Sequence, residues 1–248
     1  MISKAQVKQI VSLRQPQGRK EHGLYVVEGV KLAEEVIHSS HEVVSIFATK
    51  DWDAPATTDT SKVQLVEDWE LVKISNLTTP NKVLCVVRIP PGKSLDGIDN
   101  ELVVLLDRIS DPGNMGTIIR TAEWFGIDRV VASDDSVDFW NPKVVQASMG
   151  SVFRMKLNSV SIIDFLGLAT GIPVYGTLFN GEDLGGKPLT GNGIIVIGNE
   201  SHGISKEVQA FITCKITIPA AGGSASESLN ASIATAVVFY EFRKQFPK

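Results

Sequence analysis

The chain has 248 residues, 43% of them hydrophobic and 21% charged, with a formal net charge of −4. This is enough apolar material for one large or two modest folded domains, and it excludes a disordered or fibrous chain. The acidic balance argues against nucleic-acid binding by bulk charge, and the lack of any run of about 18 apolar residues excludes a membrane-spanning helix.

The opening segment MISKAQVKQI has no apolar signal core, so no secretory leader is expected. Val7, Ile10 and Val11 fall at helical spacing within VKQIVSL. The first 20 residues carry Lys4, Lys8, Arg14, Arg19 and Lys20 and no acid, a local basic arm on an acidic protein. LYVVEG from Leu24 reads as a strand, VKLAEEVIHS from Val30 as a helix, and VVSIFAT from Val43 and VLCVVRIP from Val83 as strands. IPPGKSLDGIDN, residues 89–100, has the composition of a linker. We therefore expect a small α/β domain over residues 1–92, a linker at 93–100 and a second α/β domain over 101–248.

In the second domain LVVLLD, from Leu102, is the continuous apolar run of a buried parallel strand. A helix follows, with Met115, Ile118, Ile119, Ala122 and Phe125 on one apolar face and Gly126 closing it. RVVAS is a strand, and PKVVQAS opens a helix with an early proline. IPVYGT, GIIVIGNE and CKITIPA are three further strands. SLNASIATAVVFYEF, from Ser228, is apolar nearly all round as a helix, so both faces are expected to be covered, as at a subunit interface.

Cys85 and Cys214 stand apart with no nearby histidine, and the four histidines have no ligand spacing. We read the cysteines as reduced apolar residues, expect no metal, and place the protein in the cytoplasm.

Ligands of open α/β sheets bind at the carboxyl ends of the strands. Three strand-end loops stand out: DRISDPGNMGTIIRTAEWFG from Asp107, GNESHGIS from Gly198 and IPAAGGSASESLNAS from Ile218. Taken singly, Arg120 is an ordinary solvated helix residue, Glu200 a loop carboxylate, and Asn114 and Asn230 helix caps. No G-x-G-x-x-G or GK[ST] pattern occurs, so nucleotide-dependent redox or P-loop chemistry has no support.

In this order the three loops resemble the motifs of the SpoU/TrmH branch of the SPOUT RNA methyltransferases. DPGNMGTIIRTAEWFG is similar to the first motif, VIGNESHGIS to the second and IP…SLNASIATAVVFYE to the third. QIVSLRQPQGRKEHGLYVVEGVKLAEEV, from Gln9, resembles the ribosomal-protein-like RNA-binding domain often joined to that catalytic domain. The resemblance implies a SPOUT-type α/β parallel sheet with a C-terminal trefoil knot, preceded by the small α/β RNA-binding domain. It implies S-adenosylmethionine as cofactor, a homodimer, and methyl transfer to a ribose 2′-hydroxyl of ribosomal or transfer RNA, not DNA. The matching catalytic positions are Arg120, Asn114, Glu200, Ser228 and Asn230. The matching cofactor positions are Thr177, Leu178, Gly198, Asn199, Ile218, Pro219 and Leu229. Arg14, Arg19 and Lys20 are the expected RNA contacts. Two departures stand out: Ala220 where many relatives have methionine, and a longer AAGGSASE stretch before Ser228.

The family proposal makes the arginine matching Arg120 the base. A guanidinium is an effectively permanent cation, so a phosphate clamp that stabilises the developing alkoxide is the competing role. A non-catalytic RNA-binding protein that keeps the fold is the alternative function.

Overall fold

The computed structural model describes residues 1–222 and 228–247. It contains two compact units, Met1–Pro91 with Asp138–Arg154, and Gly92–Val137 with Met155–Lys248. Residues 138–154, which the linear reading places within the second domain, thus belong by their contacts to the first unit.

In the first unit the elements run α1 (Lys4–Ser12), α2 (Pro16–His22), β1 (Leu24–Glu28), α3 (Val30–Ile37), β2 (Val43–Ala48), β3 (Val63–Leu65), α4 (Asp68–Ile74) and β4 (Val83–Arg88). The sheet order is β1-β4-β2-β3, antiparallel except for β2 with β3. Residues alternate across it. Leu24, Val26, Phe47, Leu84 and Val86 share a buried cluster with Ile10 of α1, with Leu13 just after it, and with Leu71 and Ile74 of α4. Leu32, Ala33 and Val36 of α3 are buried as well.

The second unit begins with β5 (Leu102–Asp107), α5 (Pro112–Trp124) and β6 (Arg129–Ser133). After α6 (Pro142–Ser148), which lies in the first unit, come β7 (Lys156–Val160), α7 (Ile162–Leu168), β8 (Val174–Asp183), β9 (Gly193–Gly198), α8 (Lys206–Gln209), β10 (Cys214–Thr217) and α9 (Ala231–Gln245). The six strands are ordered β10-β8-β9-β5-β6-β7, and every pair is parallel. All six carboxyl ends therefore lie along one edge of the sheet. Val103, Leu105, Ile194 and Val196 pack with Phe165 and Leu166 of α7 and Val208 of α8. Their neighbours Val104, Leu106 and Ile195 are equally buried, which explains why these strands read as unbroken apolar runs.

Helix α5 starts where Pro112, at the first helical position, gives up no needed N–H, and Asp111 before it is the cap. Its Met115, Ile118, Ile119 and Ala122 are fully buried. Helix α9 packs on α5: Phe239 meets Phe125 edge-on at 6.4 Å, and Arg243 donates to the last carbonyls of α5, at Phe125 and Gly126. A cation at a helix C-terminus meets both the free carbonyls and the dipole. Within one chain the expected cover of α9 is reached on one face only. Val238, Phe239 and Phe242 are buried, whereas Ile233, Val237 and Tyr240 are 55%, 39% and 59% exposed. Among the described residues, no helix is long and apolar enough to cross a membrane.

Candidate active site

Strand β5 ends at Asp107, whose carboxylate is 2% exposed and accepts the Ser205 N–H at 2.6 Å. Arg108 then takes a left-handed conformation, φ 58°, with its N–H donating to Ser133 Oγ at 2.9 Å. This strained turn presents the Arg108 carbonyl to Asn199 Nδ2 at 2.7 Å. Asp107 and Arg108 thereby fix the loop after β9 to the end of β5. Sequence reasoning gave neither a role. The signal in the sequence is their place at the start of the first strand-end loop, just before the first motif.

The loop after β9 is closed tightly. Asn199 and Gly203 exchange backbone hydrogen bonds at 3.1 and 2.9 Å, and Gly203 has φ 66°. Asn199 Oδ1 accepts the N–H groups of Ser201 and His202 at 2.9 and 3.1 Å. A Cβ on Gly198 would lie 2.4 Å from the backbone of Gly203 and Ile204, so this position requires glycine. The turn holds Glu200 at its outer end.

Asn114 is not the cap of α5, as its position suggested. Asp111 Oδ1 accepts the Asn114 N–H at 2.8 Å, which leaves the Asn114 side chain free. The side chain is buried, and Nδ2 donates to Glu200 Oε1 at 2.7 Å. Its Oδ1 accepts from Asn230 Nδ2 at 2.9 Å. Asn230 is the cap of α9, with Oδ1 accepting the N–H groups of Ser232 and Ile233 at 2.9 and 3.3 Å. These bonds fix every amide orientation. Asn230 must turn its oxygen to the helix and its nitrogen to Asn114. Asn114 must then offer its oxygen to Asn230 and its nitrogen to Glu200. The chain of donors ends on a carboxylate, whose second oxygen makes no hydrogen bond among the described residues. One residue from each motif, 86 and 116 positions from Asn114, thus forms a single directed relay.

Arg120 and Ser228 are not part of this relay. Arg120 is exposed on α5 and forms no ion pair or hydrogen bond among the described residues. Gly113, Thr117, Arg120 and Trp124 lie on one solvent-facing stripe of the helix, away from the Asn114 side. Ser228 and Leu229 are exposed.

Of the cofactor candidates, Thr177 and Leu178 lie within β8, Gly198 and Asn199 at the end of the adjacent β9, Ile218 and Pro219 just after β10 on the other side of β8, and Leu229 before α9. Thr177 Oγ1 donates to the Val196 carbonyl at 3.1 Å, and Leu178 packs partly into the core. Ile218 and Pro219 follow β10, and Ala220, Ala221 and Gly222 make no backbone hydrogen bond among the described residues. Free backbone groups beside small apolar side chains suit the edge and face of an adenine ring, so the donor set fits S-adenosylmethionine. Ala220 is described and exposed, while most of the longer stretch, residues 223–227, lies outside the described residues. Among the described residues, no group of three or more His, Cys, Asp or Glu is placed to hold a metal ion.

In the first unit, Arg19 is only 2% exposed. Its guanidinium pairs with Asp138 and donates to the carbonyls of Leu13 and Arg14 at 2.8 and 3.0 Å. The expectation that Arg19 contacts RNA is corrected: the chain folds around it. Arg14 is half-buried and donates to the Ser75 carbonyl at 2.7 Å, at the end of α4. Lys20 alone of the three is exposed. Breaking a buried pair from one side is costly, so Arg19→Ala should lose about 3 kcal/mol of stability, the low end because Asp138 keeps access to water. Urea denaturation checks this, and an unchanged midpoint would refute it.

Residues 101–240 match the SpoU rRNA Methylase family. The chain belongs to the SpoU rRNA methylase family. Residues 4–85 match the MRM3-like substrate binding domain. The 23S rRNA (guanosine(2553)-2′-O)-methyltransferase of Bacillus subtilis is 29% identical, over 96% of this chain and 95% of its own. A TrmH-family protein from Porphyromonas gingivalis superposes with a TM-score of 0.87 at 37% identity, covering 99% of both chains. The AdoMet-bound rRNA methyltransferase of Sinorhizobium meliloti gives 0.86 at 26% identity, covering 100% of this chain and 98% of that one. The SpoU chain described here is an S-adenosylmethionine-dependent RNA methyltransferase, and the alternative of a non-catalytic RNA binder falls.

Proposed function

We propose that this enzyme methylates a ribose 2′-hydroxyl of ribosomal RNA, with residues 1–92 receiving the RNA, 93–100 linking, and 101–248 carrying the methyl transfer. The observation that carries the reading is the Asn230–Asn114–Glu200 relay at the carboxyl edge of the parallel sheet. The B. subtilis relative, named as a 23S rRNA 2′-O-methyltransferase, supports the substrate class.

The cofactor supplies an electrophilic methyl group on a sulfonium. Thr177, Leu178, Gly198, Asn199, Ile218, Pro219 and Leu229 would hold it. The free oxygen of Glu200 would accept the hydrogen bond of the ribose hydroxyl and take its proton while the methyl carbon exchanges its bond to sulfur, which leaves as a neutral thioether, for a bond to the ribose oxygen. Asn114, held by Asn230, keeps the other carboxylate oxygen in place. Ser228 steadies the approach to α9. Arg120, a fixed cation without a partner among the described residues, clamps a phosphate of the target and offsets charge on the attacking oxygen. Lys20 contacts the RNA backbone. DNA lacks the attacked hydroxyl and is not a substrate.

The enzyme acts as a homodimer. Ile233, Val237 and Tyr240 form an exposed apolar stripe on α9, and Trp124 on α5 is 84% exposed. Such a patch calls for cover, and a two-fold axis lets it cover itself. Because Arg120 shares the solvent-facing stripe of α5 with Trp124, a second copy would complete its surroundings. Val237→Asp should convert dimer to monomer in sedimentation, and a monomeric wild type would sink this reading. We also propose that the loops after β8, β9 and β10 form the trefoil knot. The insertion of β9 between β8 and β5 supports it. Cys85, whose thiol burial pushes up to about 12, and Cys214 are both free, which supports action in the reducing cytoplasm.

The test is transfer of labelled methyl groups to separated, unmodified ribosomal and transfer RNA pools, followed by nuclease mapping. Label in ribosomal RNA, in a dinucleotide resistant to cleavage at its 3′ phosphate, is expected. Label only in transfer RNA, or on a base, would overturn the proposal.

A further inference from the structure

With Arg14 and Arg19 committed to the fold, the free positive charge of the first unit lies elsewhere. Helices α1 and α4 border an open groove of about 440 Å³. This is within the range of sites that take small planar ligands, roughly 300–1,000 Å³. Val7 and Val11 of α1 form part of its lining, and Trp69 of α4 stands at its side, 52% exposed. Lys4, Lys8 and Lys73 line it as well and are all exposed. The Lys73 ammonium sits 4.1 Å from the centre of the indole ring. Lys4 and Lys8 form no ion pair among the described residues.

One carboxylate lies in the groove, that of Glu70, and it is already spent. It is 2% exposed, and its oxygens accept the N–H groups of Ile2 at 2.8 Å and of Glu67 at 3.0 Å. Those hydrogen bonds hold the Glu70 carboxyl below the usual carboxylate range. The groove therefore presents an aromatic face, a short apolar floor and three ammonium groups against a single, buried carboxylate. An acidic, planar, flexible ligand complements that set, and an unpaired stretch of RNA is all three.

We propose that this groove binds single-stranded RNA, with a base stacked on Trp69 and the flanking phosphates on Lys4, Lys8 and Lys73. The inference rests on the reading of the chain as an rRNA methyltransferase and adds where an unpaired part of its substrate is held. Stacking tolerates any base, so the groove adds affinity without selecting sequence. Duplex RNA, whose bases are already stacked on each other, gains nothing from it.

The experiment is anisotropy titration of the full chain with a short labelled oligouridine across a series of salt concentrations. Trp69→Ala should bind at least about fivefold more weakly, the low end of the loss expected for one base–aromatic stack. Trp69→Phe keeps the ring and should recover most of the affinity. Lys4→Ala/Lys8→Ala should reduce the logarithmic salt slope by about 1.4, or about 0.7 per phosphate lost on a single strand. Unchanged affinity in Trp69→Ala with an unchanged slope in the lysine double variant would overturn the proposal. So would equal weakening on a duplex of the same length. A change in sedimentation of Trp69→Ala without RNA would make the groove a protein contact and overturn it too. Methyl transfer to ribosomal RNA is scored separately with the wild type. If that transfer succeeds while the variants bind normally, only the groove falls. If it fails, the functional reading falls, while oligouridine binding still reports on the groove.

Discussion

Asn114→Asp should reduce turnover by about a hundredfold or more at neutral pH while leaving the fold intact. The substitution is nearly isosteric, and a negative charge in the first turn of α5 suits the helix dipole, so the helix is not weakened. What changes is the direction of the relay. An ionised aspartate has no proton to donate. It would face Glu200 across the 2.7 Å now bridged by Nδ2. Two carboxylates at that range cannot both stay ionised comfortably, and the pair should share a proton. That proton lies between the two carboxyls, on the Oε1 side of Glu200, and lowers the basicity of its other oxygen, the one proposed to receive the ribose proton; otherwise repulsion drives Glu200 away. The loss of one positioned donor is typically worth 10²- to 10³-fold. Activity should not return when Glu200→Gln is added, although the second change restores a donor–acceptor pair between the two positions. Cofactor affinity and melting temperature serve as controls in the same preparations. Normal turnover in Asn114→Asp would mean that the relay only braces the loops, and the role given to Glu200 would have to be abandoned.

For Arg120→Ala the expected loss is of similar size, about 10²- to 10³-fold in kcat/KM, with no loss of stability. Arg120 is exposed and forms no ion pair or hydrogen bond among the described residues, so its truncation breaks no such bond there. Its cost should appear only when RNA is bound. The clamp and base roles diverge in Arg120→Lys. A lysine retains the charge but not the two-pronged geometry, so a phosphate clamp should recover in part, mainly through a lower KM for RNA. An arginine acting as the base gives a different result: the lysine variant would show a pH–rate profile displaced from that of the wild type. Equal kcat/KM in wild type and Arg120→Ala would remove Arg120 from the mechanism altogether.

Much of the second unit is legible one residue at a time. The unbroken apolar runs of β5 and β9 can only be strands covered on both faces, and the observed burial is complete along LVVLLD. The spacing of Met115, Ile118, Ile119 and Ala122 gives the buried side of α5, although the helix begins at Pro112, before the cap that the position of Asn114 suggests. The three strand-end loops are identifiable as the likeness to a family of methyltransferases, because their glycines and amides recur in a set order. Local pattern even locates Asn230 at a helix start.

What the linear pattern cannot supply is the partner of each polar group. A capping asparagine and a relay asparagine look alike in sequence. Asn230 is both, since its oxygen caps α9 while its nitrogen reaches Asn114 across 116 positions. The same blindness misplaced Arg19 among the RNA contacts, because a basic run shows charge but not the distant Asp138 that neutralises it. It left Trp69 unremarked, because an aromatic residue becomes a platform only when α1 and α4 meet beside it. The apolar length of α9 is written in its sequence, but which half is buried depends on α5. The sequence by itself determined the elements, their order and the chemistry-bearing loops, because those follow from short-range periodicity and backbone sterics. The tertiary structure alone decided which polar atoms are spent on the fold and which are left to act, because hydrogen bonds and ion pairs form between groups that only folding makes neighbours.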